Sequence, residues 1–312
     1  MPSTRAGDHR PPVPGTSDHE PGPERRHAFF ADRWIWLRVV QRCILVMALD
    51  RTEHDGELGR FGSGMLIDIG QVEAIFRYPV KSMGGEPLEA AELGWHGLEG
   101  DRRLALRRLN DRSGFPWLTA SKLPDLLLFH PLRREGGEEL PTHIRTPDGE
   151  EMAIFGEDLA NEVGRRHGNS VEMMQLRHGI FDDASLSVIA SDTVREIGRL
   201  AGRSLDVRRF RPNVVVRLRR PVPFQEDEWM GGVLSFGEGD DAPAIAVTMH
   251  DVRCSIVNLD PDSACPAPEV LKAVVRANQN KAGIYGAVTR IGRLAVGQTI
   301  FLRAASNRRE PS

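Results

Sequence analysis

The sequence predicts a mainly β protein with a few helices, an α+β chain in which an N-terminal β-barrel-like domain is followed by a second β-barrel domain. Three observations carry this expectation. The chain has 312 residues, 40% of them hydrophobic, which is about two domains' worth of length with enough apolar material for sizeable cores. From Gln71 onward the apolar or alternating runs are brief and separated by Gly and Pro, the pattern of short strands. Helical periodicity is confined to a few segments, which favours barrels over a doubly wound parallel sheet.

Residues 1–27 hold Pro2, Pro11, Pro12, Pro14, Pro21 and Pro23 among charged and small residues, a composition that cannot repay its ordering entropy by burial, so disorder is expected. Residues 34–49 read as a short amphipathic helix, either a membrane-surface segment or part of a dispensable extension spanning residues 1–64. Patterned sequence begins at Met65. Strands are expected over residues 71–77, 103–108, 126–129, 142–146 and 151–155, with Thr146-Pro147-Asp148-Gly149 supplying the chemistry of a hairpin turn. A helix over residues 158–167 should stop at Gly168, and a strand over 171–176 leads into the second unit.

That unit opens with a strand at 186–190 and a strong helix signal. Thr193 and Glu196 have capping-box spacing, Val194, Ile197, Leu200 and Ala201 share a face, and Gly202 offers a stop. Strands are expected at 213–218, 232–236, 244–249, 254–259, 284–289 and 299–302, with a helix at 268–277. The expected boundaries are therefore a first domain at 65–175, a second at 176–303 and a tail at 304–312.

Composition excludes several functions. Lys and Arg number 41 against 44 Asp and Glu, a net charge of −3, so nothing favours wrapping nucleic acid, and any anion site must be local. Cys43, Cys254 and Cys265 make no CxxC pair and no zinc spacing, and their odd count argues against a disulfide framework, so the cytoplasm is the expected compartment. The longest apolar run, residues 43–49, is far short of the roughly 20 residues a spanning helix needs, so no stable membrane insertion is expected.

Four segments are denser in polar and special residues than strands require. Arg77-Tyr78-Pro79-Val80-Lys81-Ser82-Met83 leaves a strand and would present Lys81 and Ser82 beside a flexible Gly84-Gly85 turn, to an anion or merely to solvent. Gly100-Asp101-Arg102 is a turn delivering either a structural ion pair or a site. Asp206-Val207-Arg208-Arg209-Phe210-Arg211-Pro212-Asn213 crowds three arginines into four positions; such charges repel unless an anion or carboxylates sit among them, and Arg suits phosphate or carboxylate. Free N–H groups at the helix start near Thr193 could also take a phosphate. In Met249-His250-Asp251-Val252-Arg253-Cys254-Ser255 the thiol lies beside a cation that favours thiolate, the form that attacks or binds soft metals.

These segments, together with Phe224-Gln225-Glu226-Asp227-Glu228-Trp229, Leu259-Asp260-Pro261, Gly283-Ile284-Tyr285-Gly286 and Val296-Gly297, occur in the order found in the MOSC family. Over residues 71–303 the chain resembles proteins similar to the C-terminal domain of molybdenum cofactor sulfurase, preceded by the MOSC N-terminal β-barrel domain. It also resembles the mitochondrial amidoxime-reducing component. The resemblance implies a molybdenum–molybdopterin cofactor, with Cys254 as metal ligand and catalytic residue. It further implies cofactor contacts from Lys81, Ser82, Arg102, Thr193, Arg211, Asn213, Arg253 and Tyr285.

The activity implied is reduction of N-hydroxylated or N-oxygenated small molecules, the alternative being a cofactor-binding or persulfide-carrying sulfur-transfer protein. The chain shows no four-cysteine iron–sulfur pattern, no CxxCH motif and no convincing dinucleotide fingerprint. A reductase built this way is therefore expected to draw electrons from a separate electron-transfer protein.

Overall fold

The computed structural model describes residues 66–133, 140–181 and 184–305; the expected helix at 34–49 and the rest of the extension at 1–64 lie outside them. Strand β1 (Leu66–Arg77) is 12 residues long and bends at two register shifts, between Asp68 and Gly70 and between Val72 and Ala74. Strand β2 (Glu86–Leu88) folds back on its end, and β3 (Ala90–Gly94) pairs with β4 (Gly97–Leu98). Next come β5 (Leu104–Arg108), a meander of β6 (His130–Leu132), β7 (His143–Arg145) and β8 (Glu151–Ala153), helix α1 (Glu157–His167) and β9 (Val171–Gln175), which returns antiparallel to β5. These elements enclose a core of Val80, Leu104, Leu106, Leu118, Phe129 and Ile144, completed by α1 through Leu159 and Val163.

The second core follows from β10 (Leu186–Ala190), α2 (Ser191–Ala201), β11 (Val214–Leu218), β12 (Val233–Phe236) and β13 (Ala244–Val252). Helix α3 (Glu269–Asn278), β14 (Lys281–Arg290), β15 (Gly292–Ala295) and β16 (Thr299–Arg303) complete the chain's described elements. The strand order is β11-β10-β14-β13-β12-β16-β1, and β1 also pairs with β11, so seven strands close into a barrel. Strands β10 and β11 are parallel, which requires a crossover that α2 supplies. All five residues of β10 are buried because the strand is covered on both faces. Leu186, Val188 and Ala190 fill the barrel, while Ile189 faces a second layer built by Val194 and Ile197 of α2 and Val270 and Val274 of α3.

The expectation of a mainly β chain with a few helices and barrel architecture holds, with three α-helices among the described residues. Strand β1 opens the stretch assigned to the first domain, yet it is also a stave of the second domain's barrel, so the chain crosses between the two bodies more than once.

Three local expectations differ from the fold. Residues 126–129 lie in and just after a 3-10 turn, Pro124–Leu128, whose leading proline suits a helical start and cannot donate to a ladder. The expected strand at 254–259 is instead a 3-10 turn, Ser255–Asn258, which begins where β13 has ended and Cys254 stands extended before it. Thr193 is not a cap. Helix α2 begins at Ser191, and the Thr193 hydroxyl lies inside the first turn, donating to Glu226 and accepting from the Phe224 N–H. The glycine stops hold, since Gly168 and Gly202 both take the left-handed conformation.

Candidate cofactor and active site

Backbone pairing brings the first two motifs together. The Arg102 N–H donates to Tyr78 O at 2.8 Å, Leu104 N–H to Pro79 O at 3.1 Å and Lys81 N–H to Leu104 O at 2.8 Å, so residues 78–81 lie alongside residues 102–104. The buried Asp101 carboxylate accepts from Tyr78 N–H at 2.7 Å and pairs with Arg102. The two glycines after Met83 serve close approach rather than flexibility: a Cβ on Gly85 would sit 2.4 Å from the Tyr78 ring.

The Tyr78 ring is flanked by two guanidinium groups, Arg211 at 4.2 Å and Arg102 at 5.0 Å from its centroid. Burial pushes the Tyr78 phenol up to about 12, against the pull of Arg211 and Arg102, so the ring stays neutral. Burial opposes the charge of Arg102 as well, but Asp101 more than compensates and holds it protonated.

The three arginines of the crowded segment separate. Arg208 pairs with Asp206 and Asp262, and Arg209, almost wholly buried, pairs with Asp260 at 2.7 Å and donates to Asn258 O. Arg211 bonds the first motif, donating to Met83 O at 2.7 Å. Internal carboxylates thus relieve two of the charges.

A cavity of about 300 Å³ opens among these segments. Seven of the nine expected site residues line it: Lys81, Ser82, Arg102, Arg211, Arg253, Cys254 and Tyr285. Lys81 is only 4% exposed and donates to Ile180 O at 3.3 Å, so it is not an ordinary solvated loop lysine. Ser82, Arg102 and Arg211 all have positive φ, at 66°, 49° and 48°. Side chains at three such disfavoured positions converge on one cavity, and backbone strain of this kind gathers at ligand sites.

Arg253 is committed inward. Its Nε donates to Ala282 O and its Nη1 to Phe210 O, both at 2.7 Å, while Nη2 meets Asp251 at 2.8 Å. It braces the end of β13, which presents the exposed Cys254 thiol. Gly283 makes room for it: at φ 86°, a Cβ there would lie 2.7 Å from Val188 O and 3.0 Å from Arg253 Nη2.

Two expected residues stand elsewhere. Asn213 ties three strands together and steadies Arg102, accepting from Ser187 N–H at 3.1 Å and Arg102 Nη1 at 3.3 Å and donating to Phe76 O. Thr193 binds Glu226, whose other oxygen accepts from Ala190 N–H, so an internal carboxyl meets the helix start where a phosphate was conceivable.

Sequence reasoning missed Phe115, Thr119 and Ser121 on the cavity wall. The aromatic Gly114-Phe115-Pro116-Trp117 run was a usable signal for the first; isolated hydroxyl residues give none. No group of three or more His, Cys, Asp or Glu suited to a metal occurs among the described residues. His250 Nδ1 lies 3.1 Å from Asp227 Oδ1.

The family model described as the MOSC N-terminal beta barrel domain matches residues 69–185, and that of the MOSC domain matches residues 165–301. The chain belongs to the MOSC family. MOSC domains occur in molybdenum cofactor sulfurase-like proteins, and the family is associated with binding of that cofactor. The crystal structure of the YUAD protein from Bacillus subtilis is similar over 77% of this MOSC chain and 99% of its own, at 15% identity and a TM-score of 0.42. A second crystal structure, of a hypothetical protein, is similar over 77% of this chain and 69% of its own, at 12% identity and a TM-score of 0.36. No curated protein matches the chain. Among the described residues of this MOSC protein no helix is long and apolar enough to cross a membrane.

Proposed function

We propose that this MOSC protein binds a molybdenum–molybdopterin cofactor and reduces N-hydroxylated or N-oxygenated small molecules, with electrons from a separate protein. The observation that carries the reading is the exposed Cys254 thiol at a cavity whose wall is built from Lys81, Arg102 and Arg211.

The residues fit the group. Four cations line the cavity, Lys81, Arg102, Arg211 and Arg253, with Asp101 paired to Arg102 and Asp251 to Arg253. Guanidinium and ammonium groups are the ordinary partners of a phosphate monoester, which is anionic at neutral pH. Lys81 and Arg211 would hold the phosphate, Ser82 and Tyr285 supply hydroxyls for polar pterin edges, and Cys254 supplies a soft thiolate to the metal. The cofactor, when bound, supplies the two-electron oxygen-atom chemistry; the chain contributes binding, orientation and fixed charge. Arg102 stays protonated because of Asp101 and is fixed by Arg211 O at 3.0 Å, so the site's charge needs no rearrangement as substrate arrives.

Asn213 and Arg253 are then positioning residues, and Thr193 belongs to the fold rather than to the site. An exposed cysteine also suits persulfide carriage, which the same experiment separates. Protein purified from a host that makes the cofactor is expected to contain about one molybdenum per chain and to reduce benzamidoxime with reduced viologen, but not with NADH alone. Bound cofactor with no turnover across a panel of N-hydroxylated compounds would favour sulfur handling, and absence of molybdenum would overturn the reading.

A further inference from the structure

The mouth of the cavity differs in chemistry from its depth. Lys81 and Arg253, almost wholly buried, and the half-buried Arg102 and Arg211 form a polar interior. Two apolar residues on the same wall are left open to water: Phe115 is 43% exposed and Val252 58%. They come from different parts of the chain. Phe115 belongs to the segment after β5, and Val252 ends β13, two residues before Cys254.

The segment carrying Phe115 is held in place. Arg108 Nη2 donates to Phe115 O at 2.9 Å, Arg108 N–H donates to Pro116 O at 2.9 Å, and the Ser113 hydroxyl accepts from Phe115 N–H at 3.3 Å. On its inner side the ring lies 5.5 Å from Lys81 Nζ. The phenyl is therefore a fixed surface on the same cavity wall as the thiol, already organised to receive a partner without ordering cost.

We propose that Phe115 and Val252 are specificity residues that select substrates with an aryl or similarly flat apolar body attached to the reacting N–O group. This rests on reading the cavity as a cofactor-bearing reductase site, where the charged depth takes the cofactor and the apolar rim remains for substrate. A flat ring laid against Phe115 and Val252 removes apolar surface from water and can stack on the phenyl. A substrate bearing only a methyl group in that position gains little of this.

The test uses the full-length, cofactor-loaded protein and two probes, benzamidoxime and acetamidoxime. Affinity is measured directly by calorimetry or ligand-observed NMR, alongside KM and kcat with reduced viologen. The wild-type protein is expected to bind the aryl probe about tenfold more tightly, about 1.4 kcal/mol. Phe115→Ala should bring that ratio close to one, Phe115→Leu should retain part of it, and Val252→Ser should lower it about threefold. Phe155→Ala, at an exposed phenylalanine outside the cavity lining, should leave the ratio as in wild type.

An unchanged ratio in Phe115→Ala, or no aryl preference in the wild type, overturns the inference even if both probes turn over. Molybdenum loss from Phe115→Ala would make Phe115 a cofactor contact and also overturn it. Aryl-selective, Phe115-dependent binding with no turnover supports this assignment while removing the reductase reading.

Discussion

Replacing Glu226 with Gln tests how the barrel and its helical layer are joined. Glu226 is buried, accepts from Ala190 N–H at 3.3 Å and receives the Thr193 hydroxyl at 2.9 Å. Burial raises its carboxyl from 4.5 to about 7 despite these bonds. The unfolded chain ionises this group near 4.5, whereas the folded protein retains the proton until about 7. Its contribution to stability is thus fully present below about 4.5, falls as pH rises to about 7, and is absent above. At about 1.4 kcal/mol per pH unit the whole effect is roughly 3 kcal/mol. Gln keeps an oxygen for Ala190 N–H and offers an amide to Thr193, with no charge to bury. Urea unfolding of Glu226→Gln and wild type between pH 4 and 9 should give similar stabilities at pH 4 and a variant more stable by roughly 2–3 kcal/mol at pH 8. A difference that does not vary with pH, or one that favours wild type at pH 8, would refute the argument that Glu226 is a desolvated carboxyl by which the Gln225–Trp229 turn is bonded to the start of α2.

Other perturbations follow from the same contacts. Cys254→Ala should abolish turnover and shift stability by no more than about 0.5 kcal/mol, because the side chain is exposed; Cys265→Ala, in the loop after Asp260, should remain active, and full activity of Cys254→Ala would remove the ligand assignment. Arg211→Ala should fold but bind molybdopterin about 10–100-fold more weakly, the worth of a charged hydrogen bond, with partial recovery in Arg211→Lys because the planar fork is lost; normal cofactor content would return Arg211 to a structural role at Met83 and Tyr78. Gly283→Ala should cost about 2 kcal/mol or more, since a Cβ there is strained at φ 86° and meets Val188 O and Arg253, and thermal melting should fall by about 4–8 °C; an unchanged melting temperature would show that Arg253 and β10 can move apart.

Local chemistry alone made much of this protein legible. The helix stops at Gly168 and Gly202 follow from the freedom of glycine at positive φ, and the turn at Thr146-Pro147-Asp148-Gly149 forms where its residues demand, with Gly149 N–H donating to Thr146 O. Strands β1, β10, β11 and β14 contain the apolar runs that foretell them. Strands β2, β4 and β6 are two or three residues long, too short for any periodicity, so only their partners define them. Lys81, Arg102, Arg211 and Cys254 stand out in sequence because charge and thiol chemistry are dense there.

Tertiary structure decided the rest, because burial and pairing depend on residues far apart in the chain. Closure of the barrel through β1, bonded to both β11 and β16, is a pairing across more than 130 residues that no local pattern encodes. Arg208, Arg209 and Arg211 are chemically equivalent as sequence; the carboxylates of Asp206, Asp260 and Asp262 claim the first two and leave the third to the cavity. Thr193 looked like a cap and Asn213 like a ligand, but their hydroxyl and amide groups are spent on Glu226, Ser187 and Phe76 once the strands assemble. Phe115 reaches the mouth only because its segment is pinned to β5. A residue's type states what it can bond, and only the folded chain determines which partner arrives first.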